Sequence, residues 1–205
     1  MYGPIDSQPA DDVRLATVSQ AELERILAEL PGGFRAVLLP EVGSTNDVAR
    51  ACLLHGCAAA ILAGRQTAGR GRHGRRWIGE RLGNIYLSMA IPCRVDGTVP
   101  ARWSLELARR IANNLLCRFS LPLQVKPPND LLLDGRKVAG ILLESVAGVG
   151  MAVGVGMNLV PDPGLQSNCT QPVGSLAQHH IFPIAPILAA IIDAIVGTIG
   201  TLQPD

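Results

Sequence analysis

The sequence predicts one α+β domain whose strands are joined by hairpins. Three observations predict it. IYLSMAIP (85–92) alternates as a strand should. Asp134-Gly135 stands between two apolar runs, a strong hairpin signal. RWSLELARRIANNLLCRF (102–119) repeats its apolar residues at helical spacing. No repeat, linker or low-complexity segment divides the 205 residues, so a flexible leader is expected over 1–18 and a single domain over 19–205.

The elements follow in order. SQAELERILAEL (19–30) is a helix, because Ser19 and Glu22 form a capping box and Pro31-Gly32-Gly33 stops it. AVLLPEV (36–42) is a short strand. STNDVARACLLHG (44–56) is a second helix, capped by Ser44 or Thr45 and ended by Gly56. AAAILAGRQ (58–66) is a buried strand. TAGRGRHGRRWIGERLGN (67–84) has no hydrophobic period and is a loop. LQVKPPNDLLLDGRKVAGILLESV (123–146) reads as strand, proline turn, strand, Asp-Gly turn, strand. MAVGVGMNLV (151–160) is a strand, 161–180 a loop and 184–202 the last helix.

Apolar residues make up 48% and aromatics 3%, which predicts an aliphatic core. The net charge of +1 excludes a broadly basic nucleic-acid binder and an acidic disordered chain. The charge is uneven. All 18 Lys and Arg lie in residues 1–137, and six arginines fall between Arg65 and Arg81, where an anion is expected to bind. Five cysteines without a C-x-x-C pair suggest a reduced cytoplasm, and the polar, acidic N-terminus carries no signal peptide. IFPIAPILAAIIDAIVGTIGTL (181–202) is nearly long enough to span a membrane. Two prolines, Asp193 and the lack of flanking cations favour a buried or interface helix instead. Ile184, Ile187, Leu188, Ile191, Ile195, Ile199 and Leu202 form its core stripe. Ala189, Ala190, Asp193, Gly197 and Gly200 form a small outer face expected to be covered by a second copy or a partner protein.

Chemistry concentrates in three places. In GRQTAGRGRHGRRW (64–77), Gly69, Gly71 and Gly74 let backbone N–H groups converge, and Arg70, Arg72, Arg75 and Arg76 offer forked donors to phosphate or carboxylate. A solvated basic loop is the plain alternative, and the segment is not a Walker A loop, since Arg70 stands where Lys is needed. Second, 16 cations are Arg and only Lys126 and Lys137 are Lys, so a compact ammonium is selected at two neighbouring positions. Lys126 opens KPPND, in which Asn129 can bond the backbone and Asp130 suits magnesium beside a phosphate site. An ordinary Asx turn is the alternative. Gly140 leaves room for a ligand or another backbone. Third, Ala152, Gly154, Gly156 and Asn158 make a flat strand face, suited to a planar ligand or to a closely packed helix. The four histidines lack metal-ligand spacing, and there is no G-x-S-x-G.

Taken together, EVGSTND (41–47), AGRQTAGRGRHGRRW (63–77), GNIYLSMAIP (83–92), KPPNDLLLDGRKVAGILLE (126–144) and VGVGMNL (153–159) resemble the catalytic domain of biotin protein ligases, over about residues 36–200. The resemblance implies a mixed, mostly antiparallel sheet with helices, akin to class II aminoacyl-tRNA synthetases. It implies ATP and Mg2+ as cofactors, biotinyl-5′-AMP as intermediate, and the biotin carrier domain of a carboxylase as partner. Ser44, Thr45 and Gln66 are then expected to hold the biotin rings, with the backbone at Arg70. Arg70, Gly71 and Arg72 close over the adenylate, and Arg75 faces ATP phosphates. Lys137, Arg72 and Lys126 are the expected catalytic group, Asp130 the magnesium ligand, and Asn158 a contact on the nucleotide side. Asn46, Gly69, Trp77, Asn129 and Gly140 fall in the same motifs and complete the expected site.

Three departures stand out. Pro127 replaces a usual Trp, a small C-terminal β-barrel domain is not expected in this chain, and 18 residues before the first helix cannot form a winged helix, so DNA is not an expected partner. The composition of 181–202 makes a membrane an unexpected partner too. The rival readings are a ligase of the same fold for another carboxylic acid, such as lipoate, and a non-catalytic biotin-binding or assembly subunit. Biotin-dependent ATP–pyrophosphate exchange separates all three.

Overall fold

In the computed structural model, residues 18–31, 33–79, 82–95, 97, 99–161, 171–180 and 183–202 are described. Helix α1 (Gln20–Ala28) opens with the expected capping box, the Ser19 hydroxyl accepting from Glu22 N and the Glu22 carboxylate accepting from Ser19 N at 2.9 Å. That bond to the Ser19 backbone lowers the Glu22 pKa. The leader lies outside the described residues except for Val18, which is buried in the core.

Strands β1 (Arg35–Val42), β2 (Ala59–Gln66), β3 (Ile85–Pro92), β4 (Gln124–Lys126), β5 (Asp130–Leu133), β6 (Arg136–Val146) and β7 (Gly150–Met157) form one sheet in the order β1-β2-β3-β7-β6-β5-β4. The β1–β2 pair is parallel, because helix α2 (Thr45–Leu54) crosses between them; every other pair is antiparallel. The sheet is therefore mixed and mostly antiparallel. The β5–β6 turn places Asp134 at φ 50° and Gly135 at φ 73°, the two left-handed residues that a type I′ hairpin requires.

Alternation along the strands assigns the two faces. Met151, Val153, Val155 and Met157 of β7 join Leu87, Met89 and Ile141 under α1, α3 (Ala101–Phe119) and α4 (Ile184–Leu202). Ala152 belongs to a second cluster with Ala59, Ile61, Ala90 and the α2 residues Ala49 and Leu53. Small residues on this second face let α2 sit close to the sheet.

Helix α4 is a core helix whose expected stripe, Ile184 through Ile199, is buried; the Leu202 side chain lies outside the described ones. The reading of its other face needs correction. Ala190 has 0% exposure. Asn114 of α3 donates to the Ala190 carbonyl at 3.0 Å, Arg118 pairs with Asp193 at 2.6 Å, and Arg110 lies against Gly197. The small residues admit α3 of the same chain, the Arg110 guanidinium lying against Gly197 and the Arg118 guanidinium against Asp193. Ala189, Asp193 and Gly197 are half-buried in this way, so the face that suggested a second copy is largely covered already.

Candidate active site

Sheet register builds the floor of a cleft of about 850 Å³ beyond the N-terminus of α2. Directly paired residues share a face. One row runs Tyr86, Gly156, Gly140 and Asp130; the next runs Ser88, Gly154 and Leu142; the third runs Ala90, Ala152 and Glu144. The glycines are the low points. A Cβ on Gly154 would collide with Asn46 Oδ1, and one on Gly156 would meet the Trp77 indole at 2.5 Å. The close-packing reading of the flat strand face holds: α2 packs on it through Asn46 and Leu53, and the Trp77 indole lies over Gly156.

The neutral end of the cleft is a hydrogen-bonded set. Gln66 Oε1 accepts from Thr45 N at 2.8 Å and from the Thr45 hydroxyl at 3.1 Å. The Ser88 hydroxyl lies 2.7 Å from Thr45 Oγ1 and 2.6 Å from Asn46 Oδ1, and its single proton serves one of them at a time. Asn46 Nδ2 donates to Glu144 at 2.7 Å. Ser44 occupies the N-cap position of α2, but its hydroxyl makes no capping bond and lines the cleft instead. The expected cap is therefore formed by backbone geometry alone.

The glycine–arginine segment is a folded hairpin over one wall. Gln66 bridges to Gly79 and Arg70 to Arg76, Trp77 N donates to Gly69 O at 2.9 Å, and a 3-10 turn at Arg72–Gly74 forms the tip. Arg70 anchors it with a bidentate bond to Asp47 at 2.7 and 2.5 Å and lies 3.7 Å from Glu144. The Arg70 hydrogen bond holds the Asp47 carboxyl below the usual aspartate range, and the same bond raises the Arg70 pKa. Arg72 and Arg75 line the cleft and make no salt bridge among the described residues. Gly69 does not line it. A Cβ there would meet the Trp77 carbonyl at 2.6 Å, so this glycine serves close packing inside the hairpin rather than ligand contact.

The charged end is built by β4, β5 and β6. A register shift between Leu131 and Leu132 turns Lys137 toward the cleft, although Ala139, two residues on, faces the core. Lys137 Nζ lies 2.7 Å from Asp130 Oδ1 and 5.4 Å from the centroid of the Trp77 ring. Lys126 and the Pro127–Pro128 turn complete this wall. Asn129 donates its amide to the Ile141 carbonyl at 2.8 Å, and Asn158 donates to the Gly174 carbonyl at 3.1 Å, so both buttress the wall they line. Trp77 Nε1 is buried without a partner among the described residues. Apart from Gly69, every expected site residue lines this one cleft.

Four contributors were not foreseen: Ser88, Glu144, Asp47 and Gln171. Ser88 carried a signal, being the one small polar residue inside an otherwise apolar and aromatic strand. Gln171 carried none, since its place depends on the chain returning to β6 after Leu159.

The floor thus carries an amide–hydroxyl set at one end and two lysines with an aspartate at the other. The model of the Biotin/lipoate A/B protein ligase family matches residues 58–159. The chain is 41% identical over 125 residues to the biotin–[acetyl-CoA-carboxylase] ligase of Paracoccus denitrificans, covering 57% of this chain and 52% of that one. It is 38% identical over 142 residues to the bifunctional ligase/repressor BirA of Escherichia coli, covering 66% and 44%. The chain thus spans about half the length of these curated relatives. The biotin protein ligase of Leishmania major in complex with biotinyl-5-AMP superposes with a TM-score of 0.68 at 25% identity, covering 84% of this chain and 77% of that one.

Proposed function

We propose that this protein is a biotin–protein ligase. The biotin carboxylate attacks the α-phosphorus of ATP, forming an acyl–phosphate C–O–P linkage as the bond to pyrophosphate breaks. The amine of a carrier-domain lysine then attacks the acyl carbon, an amide forms, a proton is lost, and AMP leaves. The observation that carries this reading is the meeting of the Thr45–Gln66–Ser88 set and the Lys137–Asp130 pair in one cleft, with the arginine hairpin along its wall.

The two ends suit the two substrates. A neutral ureido ring needs hydroxyl and amide partners, which Ser44, Thr45, Asn46 and Gln66 offer. Bringing a carboxylate to a triphosphate places anions together and requires cations, which Lys137, Lys126, Arg72 and Arg75 supply. Lys137, set on rigid β6, is the group aimed at the charge that develops at the attacked phosphorus. Trp77 and the loop through Arg70, Gly71 and Arg72 form the cover that excludes water from the activated acid.

Asp130 is the one carboxylate on the charged wall, and no group of three or more His, Cys, Asp or Glu that could hold a metal occurs among the described residues. That donor set fits magnesium, which takes one or two protein carboxylates together with phosphate oxygens. Bound there, magnesium supplies charge neutralisation of the phosphates. A biotin carrier domain is the macromolecular partner of this reading. A cytoplasmic location accords with the absence of a disulfide among the described residues.

Biotin-dependent exchange of pyrophosphate into ATP is the test. The expected result is exchange with biotin and none with lipoate. Exchange with lipoate alone overturns the substrate, and binding of biotin without exchange overturns the catalysis.

A further inference from the structure

On the charged wall, Gln171 bridges two groups of opposite charge. Gln171 lies beside β6. Its neighbours are pinned there: Lys137 N donates to Pro172 O at 2.9 Å, Gly174 N donates to Lys137 O at 2.9 Å, and Val173 bridges Lys137 in parallel. The Gln171 backbone is thus carried to the wall by main-chain bonds at the lysine itself.

Its side chain spans two groups of opposite charge. Lys126 Nζ donates to Gln171 Oε1 at 2.8 Å, and Gln171 Nε2 donates to Asp130 Oδ2 at 3.2 Å. The amide orientation is forced by chemistry. An ammonium is donor only and a carboxylate acceptor only, so the oxygen must face Lys126 and the nitrogen Asp130. Among side chains of this length only glutamine does both. Glutamate would repel Asp130, and lysine would repel Lys126.

Asp130 therefore has two distinct oxygens. Oδ1 is held by Lys137 and Oδ2 by Gln171. On the ligase reading, on which this inference rests, Lys137 leaves Asp130 for the anionic reactants, and Oδ1 is released. Oδ2 stays fixed. We propose that Gln171 is a positioning residue that holds Asp130 through Oδ2, so that Oδ1 alone is presented to the magnesium–nucleotide, and that holds Lys126 toward the same phosphates. It touches no reacting atom. Its effect falls on the nucleotide end of the cleft and leaves the neutral end untouched, because the Thr45–Gln66–Ser88 set shares no bond with it.

The test uses the full chain and Gln171→Met, which keeps side-chain length and removes both bonds, with Gln171→Glu as a one-sided variant that keeps only the Lys126 contact. Calorimetric titration with a non-hydrolysable ATP analogue is run with and without Mg2+, and biotin is titrated separately. The wild type is expected to bind the analogue more tightly with Mg2+. In Gln171→Met that magnesium enhancement falls about tenfold while biotin affinity stays within twofold, and Gln171→Glu does not restore it. Pyrophosphate exchange should show the same loss as a raised half-saturating Mg2+. If wild type binds no nucleotide in magnesium, the ligase reading fails and takes this inference with it. If wild type shows the enhancement and Gln171→Met retains it in full, or if biotin affinity falls in step, the positioning role alone is overturned.

Discussion

Replacing Gly154 with alanine tests whether the neutral end depends on a floor without side chains. The added Cβ would collide with Asn46 Oδ1 and lie 3.1 Å from Asn46 Cγ, in a residue only 4% exposed. Retreat is blocked, since Asn46 Nδ2 is held by Glu144 at 2.7 Å and Oδ1 faces Ser88 at 2.6 Å. Gly154 also sits between Ser88 of β3 and Leu142 of β6, so the strand cannot shift without breaking two ladders. Losing a hydrogen bond to a charged group costs about 1.5–3 kcal/mol. Overpacking of a buried site costs about 1–3 kcal/mol. We expect destabilisation of about 2–4 kcal/mol, which lowers the melting temperature of a domain this size by roughly 5–15 °C. With Asn46 displaced, biotin affinity should fall about 10- to 100-fold, or about 1.4–2.8 kcal/mol. Thermal denaturation and calorimetric titration of biotin read both effects. Gly200→Ala is the control, because Gly200 is an exposed α4 glycine where an added methyl group would have nothing within 4 Å, and it should be neutral or slightly stabilising. A Gly154→Ala protein that melts with the wild type and binds biotin within twofold of it refutes the reasoning.

Lys137→Ala should lower pyrophosphate exchange at least about 100-fold, the usual cost of removing one donor to developing charge, while biotin affinity stays within about threefold; loss of biotin binding with normal turnover at saturation contradicts the role. Arg72→Gly, at the tip of the hairpin, should release activated biotin, seen as labelling of bystander lysines in a mixture; labelling confined to the carrier domain counts against a guarding role. Asp47 makes a pH prediction. Its folded-state pKa is lowered by the Arg70 hydrogen bond, so the stability it contributes is fully present above the ordinary aspartate pKa and is lost as pH falls through the lowered value. Asp47→Asn should remove that acid-range dependence from denaturation curves, and an unchanged dependence assigns it to another group.

The fold was legible where local chemistry decides it. The Ser19–Glu22 box, the Asp134-Gly135 turn and the alternation in residues 85–92 act over a few residues, and each appears as read. The faces of β7 were legible for the same reason, since strand alternation puts Met151, Val153 and Val155 on one side and Gly154 and Gly156 on the other. The partner of a face was not. A helical wheel separates the small side of α4 from its apolar side, but it cannot tell that Asn114 and Arg110 of α3 occupy the small one. A sequence pattern does not show that an arginine head on one helix lies against a glycine on another.

In the candidate site the same limit falls on the residues that hold others in place. Lys137 and Asp130 lie in segments whose composition is odd for a loop or strand, and that oddness exposes them, whereas Thr45 and Gln66 are reached through the resemblance to biotin protein ligases. Glu144, Ser88 and Gln171 are ordinary residues whose meaning comes from pairings across long stretches of chain: Ser88 with Thr45, Asn46 with Glu144, Gln171 with Lys126. Register creates those pairings. Gly154 is opposite Ser88 and Leu142, and Gly156 is opposite Tyr86 and Gly140, only because β3, β7 and β6 are aligned as they are. A slip of one residue would turn Gly154 and Gly156 away from the cleft and bring Val153 and Val155 onto its floor. The aliphatic core on the opposite face prevents that slip, since it would expose Met151, Val153 and Met157. The packing that stabilises the domain thereby also fixes the depth of the cleft and the meeting of its supporting side chains.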